Sequence, residues 1–253
     1  MWNGDYKFLL SSLILKDFRI RYRNMSLGVL WALVNPLVMV GVLVLVFTKF
    51  FATPAPDYPI FLLCGIVTFN LFSMGWGAGT LSIMDNAGLI KRIAVPRELI
   101  PVASVLSVMV HGFIQFGMLV AFAFAFGKYP NVYWFWLPVI LLFLVSFIIG
   151  LGWLFSGFHV YVRDTRYVVE SGNAVLFWLV PVFYPHTSIP PEYRGLYLWN
   201  PVAAAIVSIR DVILHSQSPS MENLAKMAVM AAVTSTLGLL VFRKLKARFY
   251  NYL

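Results

Sequence analysis

Six runs of nearly uncharged sequence recur along the chain: Leu27 to Phe51, Pro59 to Met84, Leu99 to Gly127, Tyr133 to Phe158, Val168 to Pro185 and Leu224 to Phe242. A helix crossing a hydrocarbon core of about 30 Å needs about 20 apolar residues, and these runs have that length. A β-barrel would instead show weak alternation over about 10-residue strands. Composition agrees: 60% of the residues are hydrophobic and only 11% are charged, against about 25% charged in a soluble domain. The chain reads as an all-α integral membrane protein with six transmembrane helices in one domain over residues 1–253. A barrel and a soluble enzyme are excluded.

The charges between the runs set the orientation. Lys7, Lys16, Arg19, Arg21 and Arg23 precede the first run; Lys91, Arg92 and Arg97 join the second to the third. Arg163 and Arg166 join the fourth to the fifth, and Arg243, Lys244, Lys246 and Arg248 follow the sixth. These alternate links hold 14 of the 19 Lys and Arg residues, which puts both termini in the cytoplasm by the positive-inside rule. Lys49, Lys128, Arg194, Arg210 and Lys226 fall on the opposite side, where Tyr133, Trp134 and Trp136 form an interfacial aromatic belt. In a membrane chain this basic excess reports topology, and no nucleic-acid partner is expected.

Residues 1–26 are too charged to span. Ser12, Lys16, Arg19 and Arg23 recur at helical spacing, with Leu9, Leu10, Leu13, Ile14 and Ile20 mostly opposite, so an amphipathic helix in the interface plane is predicted. Asp17 and Arg21 intrude on its apolar side. The segment has no continuous apolar core with a cleavage site, so a cleaved signal peptide is not expected. Residues 186–223 carry two apolar pieces, Leu196 to Trp199 and Pro201 to Leu214, broken at Asn200-Pro201. Two readings fit: short helices dipping into the outer leaflet, or an amphipathic helix resting on the surface.

Chemistry inside the membrane needs ionisable groups there, and few are present. His111 is the one titratable residue deep in a run, on a face with Ser104, Ser107 and Gln115 that reads as a helix-packing hydrogen-bond stripe. His159, His186 and His215 have no partner at metal-ligand spacing, so no metal site is expected. Cys64 is the single cysteine and reads as a small buried hydrophobe. Gly127-Lys128 lacks the upstream glycine of a phosphate-cradling loop, so the chain does not hydrolyse ATP itself and needs no cofactor of its own.

The link Asp85 to Glu98 fits two readings: a short amphipathic helix docking in a partner's groove, or a headgroup-anchored turn. Phe69, Phe72 and Trp76 in the second run, with Phe177, Trp178, Phe183 and Tyr184 in the fifth, either pack or line a path on which pyranose rings stack.

The order of these features resembles the ABC-2 type permeases that export polysaccharides such as O-antigen, capsule and teichoic acid. The residues that carry it are Arg19 to Met39, with Leu30-Trp31-Ala32 and Asn35-Pro36; Gly88 to Pro101; Val162 to Asp164; and Phe183 to Asp211, with Ser188-Ile189-Pro190 leading to Trp199-Asn200-Pro201. The resemblance implies a homodimer in the bacterial cytoplasmic membrane, with two copies of a separate ABC ATPase that binds ATP and Mg. Residues 85–98 would be the coupling helix to that ATPase through Gly88, Leu89, Ile90, Lys91, Arg92 and Arg97. Residues 186–223 would form outer gate helices using Pro190, Trp199, Asn200 and Pro201. Lys16, Arg19, Arg21 and Arg23 would contact the pyrophosphate of an undecaprenyl-linked polysaccharide, and the seven aromatic residues would line its path. Export of a small lipophilic drug or natural product is the alternative within the family; a membrane transferase lacks its acid–base residues.

Overall fold

A computed structural model describes residues 5–23, 28–50, 57–93 and 95–252. The remainder of the expected interface helix (1–4 and 24–26), the two ends of the first run (Leu27, Phe51) and Ala94 of the coupling link lie outside the described residues. Among the described residues all regular structure is helical, as the bilayer demands when each segment must satisfy its own backbone. The order is α1 (Tyr6–Tyr22), α2 (Trp31–Leu45), α3 (Tyr58–Asp85), α4 (Ala87–Arg92), α5 (Leu99–Ala125), α6 (Trp136–Tyr161), α7 (Thr165–Leu179), α8 (Pro191–Tyr197), α9 (Pro201–Ile213) and α10 (Met221–Leu245).

Among the described residues four stretches are long and apolar enough to cross a membrane: Tyr58–Arg92, Leu99–Ala125, Val132–Tyr161 and Met221–Phe249. The pair α8 and α9, bent by 104° at Asn200, makes a fifth candidate if counted as one broken span. The first expected run is helical over 28–50 with changing pitch, α2 being its regular part around Pro36. The fifth run departs from expectation: α7 stops at Leu179, not 185. Pro181 has no N–H to donate and disfavours a helical Val180, whose ψ is 153°.

Helix α3 lies at the centre, packed by α5, α6, α7 and α9, and 72% of its apolar window is enclosed, against 22% for α10. Helix α10 joins through α6, where Gly150 and Gly238 meet; a Cβ on Gly238 would stand 2.2 Å from the Gly150 carbonyl oxygen. Small residues at a crossing are how membrane helices gain close packing without a hydrophobic drive between them. The main core runs from Tyr58 through α9. A second core at the other end joins Leu13 of α1, Ile90 of α4, Ile100 of α5, Val160 of α6 and Phe242 and Phe249 of the carboxy-terminal segment.

Candidate functional site

Helix α1 begins at Asp5, whose carboxylate accepts from the backbone N–H groups of Lys7 and Phe8, both at 3.0 Å. Leu13 anchors it against α5, while Arg19 and Arg23 are exposed and Lys16 is half-exposed. The Arg21 side chain lies outside the described residues. Asp17, which breaks the apolar pattern, has a partner: Ser104 Oγ donates to its Oδ2 at 2.9 Å, and Lys16 Nζ lies 3.3 Å from its Oδ1. Lys16 also donates to Asn86 Oδ1. Farther along, Tyr22 bonds His111 Nδ1, and Gln115 Nε2 lies 3.2 Å from His111 Nε2 and 3.1 Å from the Ala32 carbonyl oxygen. The polar stripe of α5 is thus a packing seam for α1 and α2, as read for His111.

Helix α4 turns Ile90 into the second core and leaves Gly88, Lys91 and Arg92 exposed, with Leu89 half-buried. Arg97 is not on this helix: it donates to the Lys246 carbonyl oxygen at 2.8 Å. Next to it Glu98 accepts from Lys246 Nζ, with Arg243 Nε at 3.9 Å, and its carbonyl accepts from Trp153 Nε1 at 2.9 Å. Burial raises the Glu98 carboxyl, but the Lys246 bond and the two positive charges prevail and hold it below its ordinary range. Tyr161 Oη completes the knot, donating to the Leu245 carbonyl oxygen at 2.7 Å. Nothing in the sequence pattern singled out Glu98 or Phe249.

The seven aromatic residues divide into two sets. Phe69, Phe72 and Trp76 are packed inside the main core and line no open path, because α6 and α7 cover that face of α3. Phe177, Phe183 and Tyr184 are half-exposed and Trp178 is 65% exposed. They continue a stripe on α7 that is open throughout: Arg166, Tyr167, Glu170, Ser171, Ala174, Val175 and Trp178. Its first turns carry an Arg166–Glu170 ion pair at 2.7 Å.

Beyond Leu179 the unwound backbone frees carbonyl groups, and side chains take those of Leu179, Pro181, Val182 and Phe183. Tyr184 and Tyr197 donate to Leu179 O, and Tyr58 donates to Phe183 O at 3.0 Å. Arg210 donates to Pro181 O at 2.5 Å, Val182 O at 2.6 Å and Phe61 O at 3.1 Å, with its guanidinium carbon 3.4 Å from the centroid of the Phe61 ring. Only 4% of Arg210 is exposed, although the sequence places it among the outer-side cations. Gly65 makes room: a Cβ there would stand 2.6 Å from Val182 O.

Helix α9 starts where Asn200-Pro201 predicts a break, with Asn200 Oδ1 accepting from Val202 N at 3.0 Å and Pro201 in the first turn. It is buried from Pro201 to Arg210, which removes the surface-helix reading for this piece. Pro190, Trp199 and most of the turn helix α8 stay exposed, while Arg194, Tyr197 and Asn200 are half-buried. His186 is held below its ordinary value by burial and by Arg194 and Arg210. Among the described residues no group of three or more His, Cys, Asp or Glu side chains could hold a metal ion.

The sequence model of the ABC-2 type transporter family matches residues 9–214. The chain is 29% identical over 254 residues to the O-antigen export system permease protein RfbA of Klebsiella pneumoniae, an alignment covering 100% of this chain and 98% of that protein. It is 27% identical to the protein of the same name from Myxococcus xanthus, covering 90% and 89%. It is 25% identical to the polysialic acid transport protein KpsM of Escherichia coli, covering 94% and 93%.

Proposed function

The chain belongs to the ABC-2 type transporter family, and from that premise we propose that it is the permease subunit of an ATP-driven exporter of lipid-linked polysaccharide, of the O-antigen class, across a bacterial inner membrane. The open stripe on α7 is the structural observation that supports this most. A helix carrying Arg166, Glu170 and Ser171 on an uncovered face does not suit lipid, because charged side chains in membrane helices face a partner or water. Two copies of the chain, with these faces opposed, would enclose a wet path that is polar at the cytoplasmic entrance and ends at Trp178 and Tyr184. Sugar rings stack on such aromatic faces through their C–H surfaces, so one path serves many repeat units.

In this reading six segments cross the membrane, α2 with its flanking turns and α7 with its unwound extension completing the four long helices. Both termini are cytoplasmic. Four of the five cations assigned to the outer side are paired or bonded: Lys128 with Asp57 at 2.8 Å, Lys226 with Glu222 at 2.6 Å, and Arg194 and Arg210 with backbone carbonyls. Helix α4 offers Gly88, Lys91 and Arg92 to a separate ATPase, which binds the ATP and Mg, and the pair α8 and α9 forms the outer gate. Arg19, Arg23 and Lys16 face the headgroup level, where a lipid pyrophosphate arrives.

Deleting the gene tests the reading. Surface glycan should disappear while lipid-linked chains accumulate in the cytoplasm, and a Lys91→Glu, Arg92→Glu double variant should restore protein but not export. Unchanged surface and internal glycan in a strain without a redundant exporter would instead favour a small lipophilic cargo.

A further inference from the structure

A cavity of about 480 Å³ lies between α1, α3 and α5, beside the basic face of α1, and its size is that of a small-molecule site. Its polar wall is built from Lys16, Asp17, Asp85, Asn86, Ser104 and Ser107. The same helices also supply its apolar lining, Met74, Ala78 and Leu81 from α3 and Ile20 from α1. Asn86 is 4% exposed and donates to Ser82 O at 2.9 Å, Ser104 is 7% exposed and bonded to Asp17, so the wall is preformed.

Ser107 breaks the pattern of this wall. It is only 2% exposed, and its Oγ has no hydrogen-bond partner among the described residues. The other members of its stripe, Ser104, His111 and Gln115, bond across to α1 or α2. A buried hydroxyl without a partner costs free energy that a ligand can return. Two carboxylates, an amide, two hydroxyls and one ammonium suit a neutral polyol: carboxylates accept from vicinal hydroxyls, and the amide and hydroxyls both donate and accept. The same set opposes a bare anion, since Asp17 and Asp85 bring two negative charges against one Lys16. A second, more open cavity of about 400 Å³ shares Lys16 and Ile20 with the first and is lined by Arg19 and Arg23, without a carboxylate.

We propose that the cavity between α1, α3 and α5 binds the first sugar of the lipid-linked cargo, while the adjoining Arg19–Arg23 groove takes its diphosphate, with Lys16 between them. The inference rests on the exporter reading and goes further, to a recognition site for the reducing-end sugar. The sugar ring lays its C–H face on Met74 and Ala78, and its hydroxyls reach Asp17, Asn86 and Ser107.

The test compares two probes on the full-length chain in lipid nanodiscs: farnesyl diphosphate and farnesyl diphospho-N-acetylglucosamine. The sugar-bearing probe should bind about tenfold more tightly, a margin that two or three neutral hydrogen bonds supply at roughly two- to tenfold each. Ser107→Ala, which removes an unpartnered hydroxyl and leaves the packing intact, and Asp17→Asn should each shrink that margin. Ser107→Leu, which fills the cavity, should abolish it. Arg19→Gln should weaken both probes alike. Equal binding of the two probes, or a margin untouched by Ser107→Ala and Ser107→Leu, overturns the sugar cavity and leaves the exporter reading standing. Binding of neither probe overturns the cavity and the diphosphate groove together, and the deletion phenotype then decides the exporter reading separately.

Discussion

The main core and the smaller one at the other end of the bundle use the same apolar residue types, yet among the described residues the first encloses a charge and the second does not. Around α9 every residue from Pro201 to Arg210 is buried, and the Arg210 guanidinium lies among the carbonyls of Phe61, Pro181 and Val182. In the smaller core Leu13, Ile90, Val160 and Phe249 meet without a buried ion among the described residues, and the Glu98 knot sits at the edge with solvent near. The difference follows from where the backbone breaks. After Leu179 the chain unwinds and buries Pro181 and Val182, and their carbonyls, cut off from solvent, need donors from side chains. Where helices end near water, solvent does that work, and the core is left to join distant segments: α1, α4, α5, α6 and the carboxy-terminal turn.

The comparison breaks most readily at Arg210. Arg210→Met keeps the length and removes the donors, leaving the Pro181 and Val182 carbonyls buried without a partner, since Phe61 O keeps its place in the α3 ladder; at about 1–3 kcal/mol for each bare acceptor, and with the contact to the Phe61 ring lost, the cost is expected on the order of 3–5 kcal/mol. A thermal-unfolding scan should show the largest drop of any variant here, and proteolysis should open first between α7 and α8. If the melting point held, carbonyl capture would not be what holds the main core together. Phe249→Ala tests the other core. The residue is fully buried against Phe242 and Tyr161, so its loss should cost about 3 kcal/mol, the low end for a deleted core ring because a terminal turn can collapse. Cleavage should then begin in the last turn and leave α7 to α9 protected; an even loss of protection would merge the two cores into one unit.

Gly238→Ala comes next, with an expected cost of about 1–3 kcal/mol from overpacking, because the added carbon meets the backbone of Gly150 and not a movable side chain. Gly117→Ala is the matched control, since nothing lies within 4 Å of its Cβ position. Equal melting points for the two alanine variants would show that the α6–α10 crossing yields easily and is no fixed part of the bundle.

Long apolar runs were legible because length and absence of charge leave few alternatives, and α3, α5, α6 and α10 match their expected ranges closely. The break at Asn200-Pro201 was legible for a similar reason: both residues have strong local preferences at a helix start. The early end of α7 was not, although Pro181 signals it, because apolar continuity to Pro185 outweighed one proline. Arg210 was counted as a loop cation, since no local pattern says that an arginine serves carbonyls from two other segments. The aromatic residues were grouped by spacing, and spacing cannot tell that α6 and α7 cover one set while the other stays open. Asp17 looked like a flaw in an amphipathic face; its partner Ser104 lies 87 positions away.

The smallest effect sharpens the contrast between a buried charge and an edge charge. Glu98 is depressed below its ordinary value of 4.5, so the folded state favours its ionised form. A depressed acid contributes stability that is present above the unfolded value and lost as pH falls through the folded one. Partial exposure limits the contribution to less than about 1 kcal/mol. Wild type should therefore exceed Glu98→Gln in melting point by a degree or so at pH 7, on the order expected for a sub-kilocalorie change, and the gap should close as pH drops below 4.5. Arg210→Met offers the contrast, since its deficit involves neutral carbonyls and should hold across the same interval. A Glu98→Gln gap that stayed constant with pH would mean that the carboxylate charge contributes nothing at the edge, leaving Phe249 and its neighbours to hold the smaller core by packing alone.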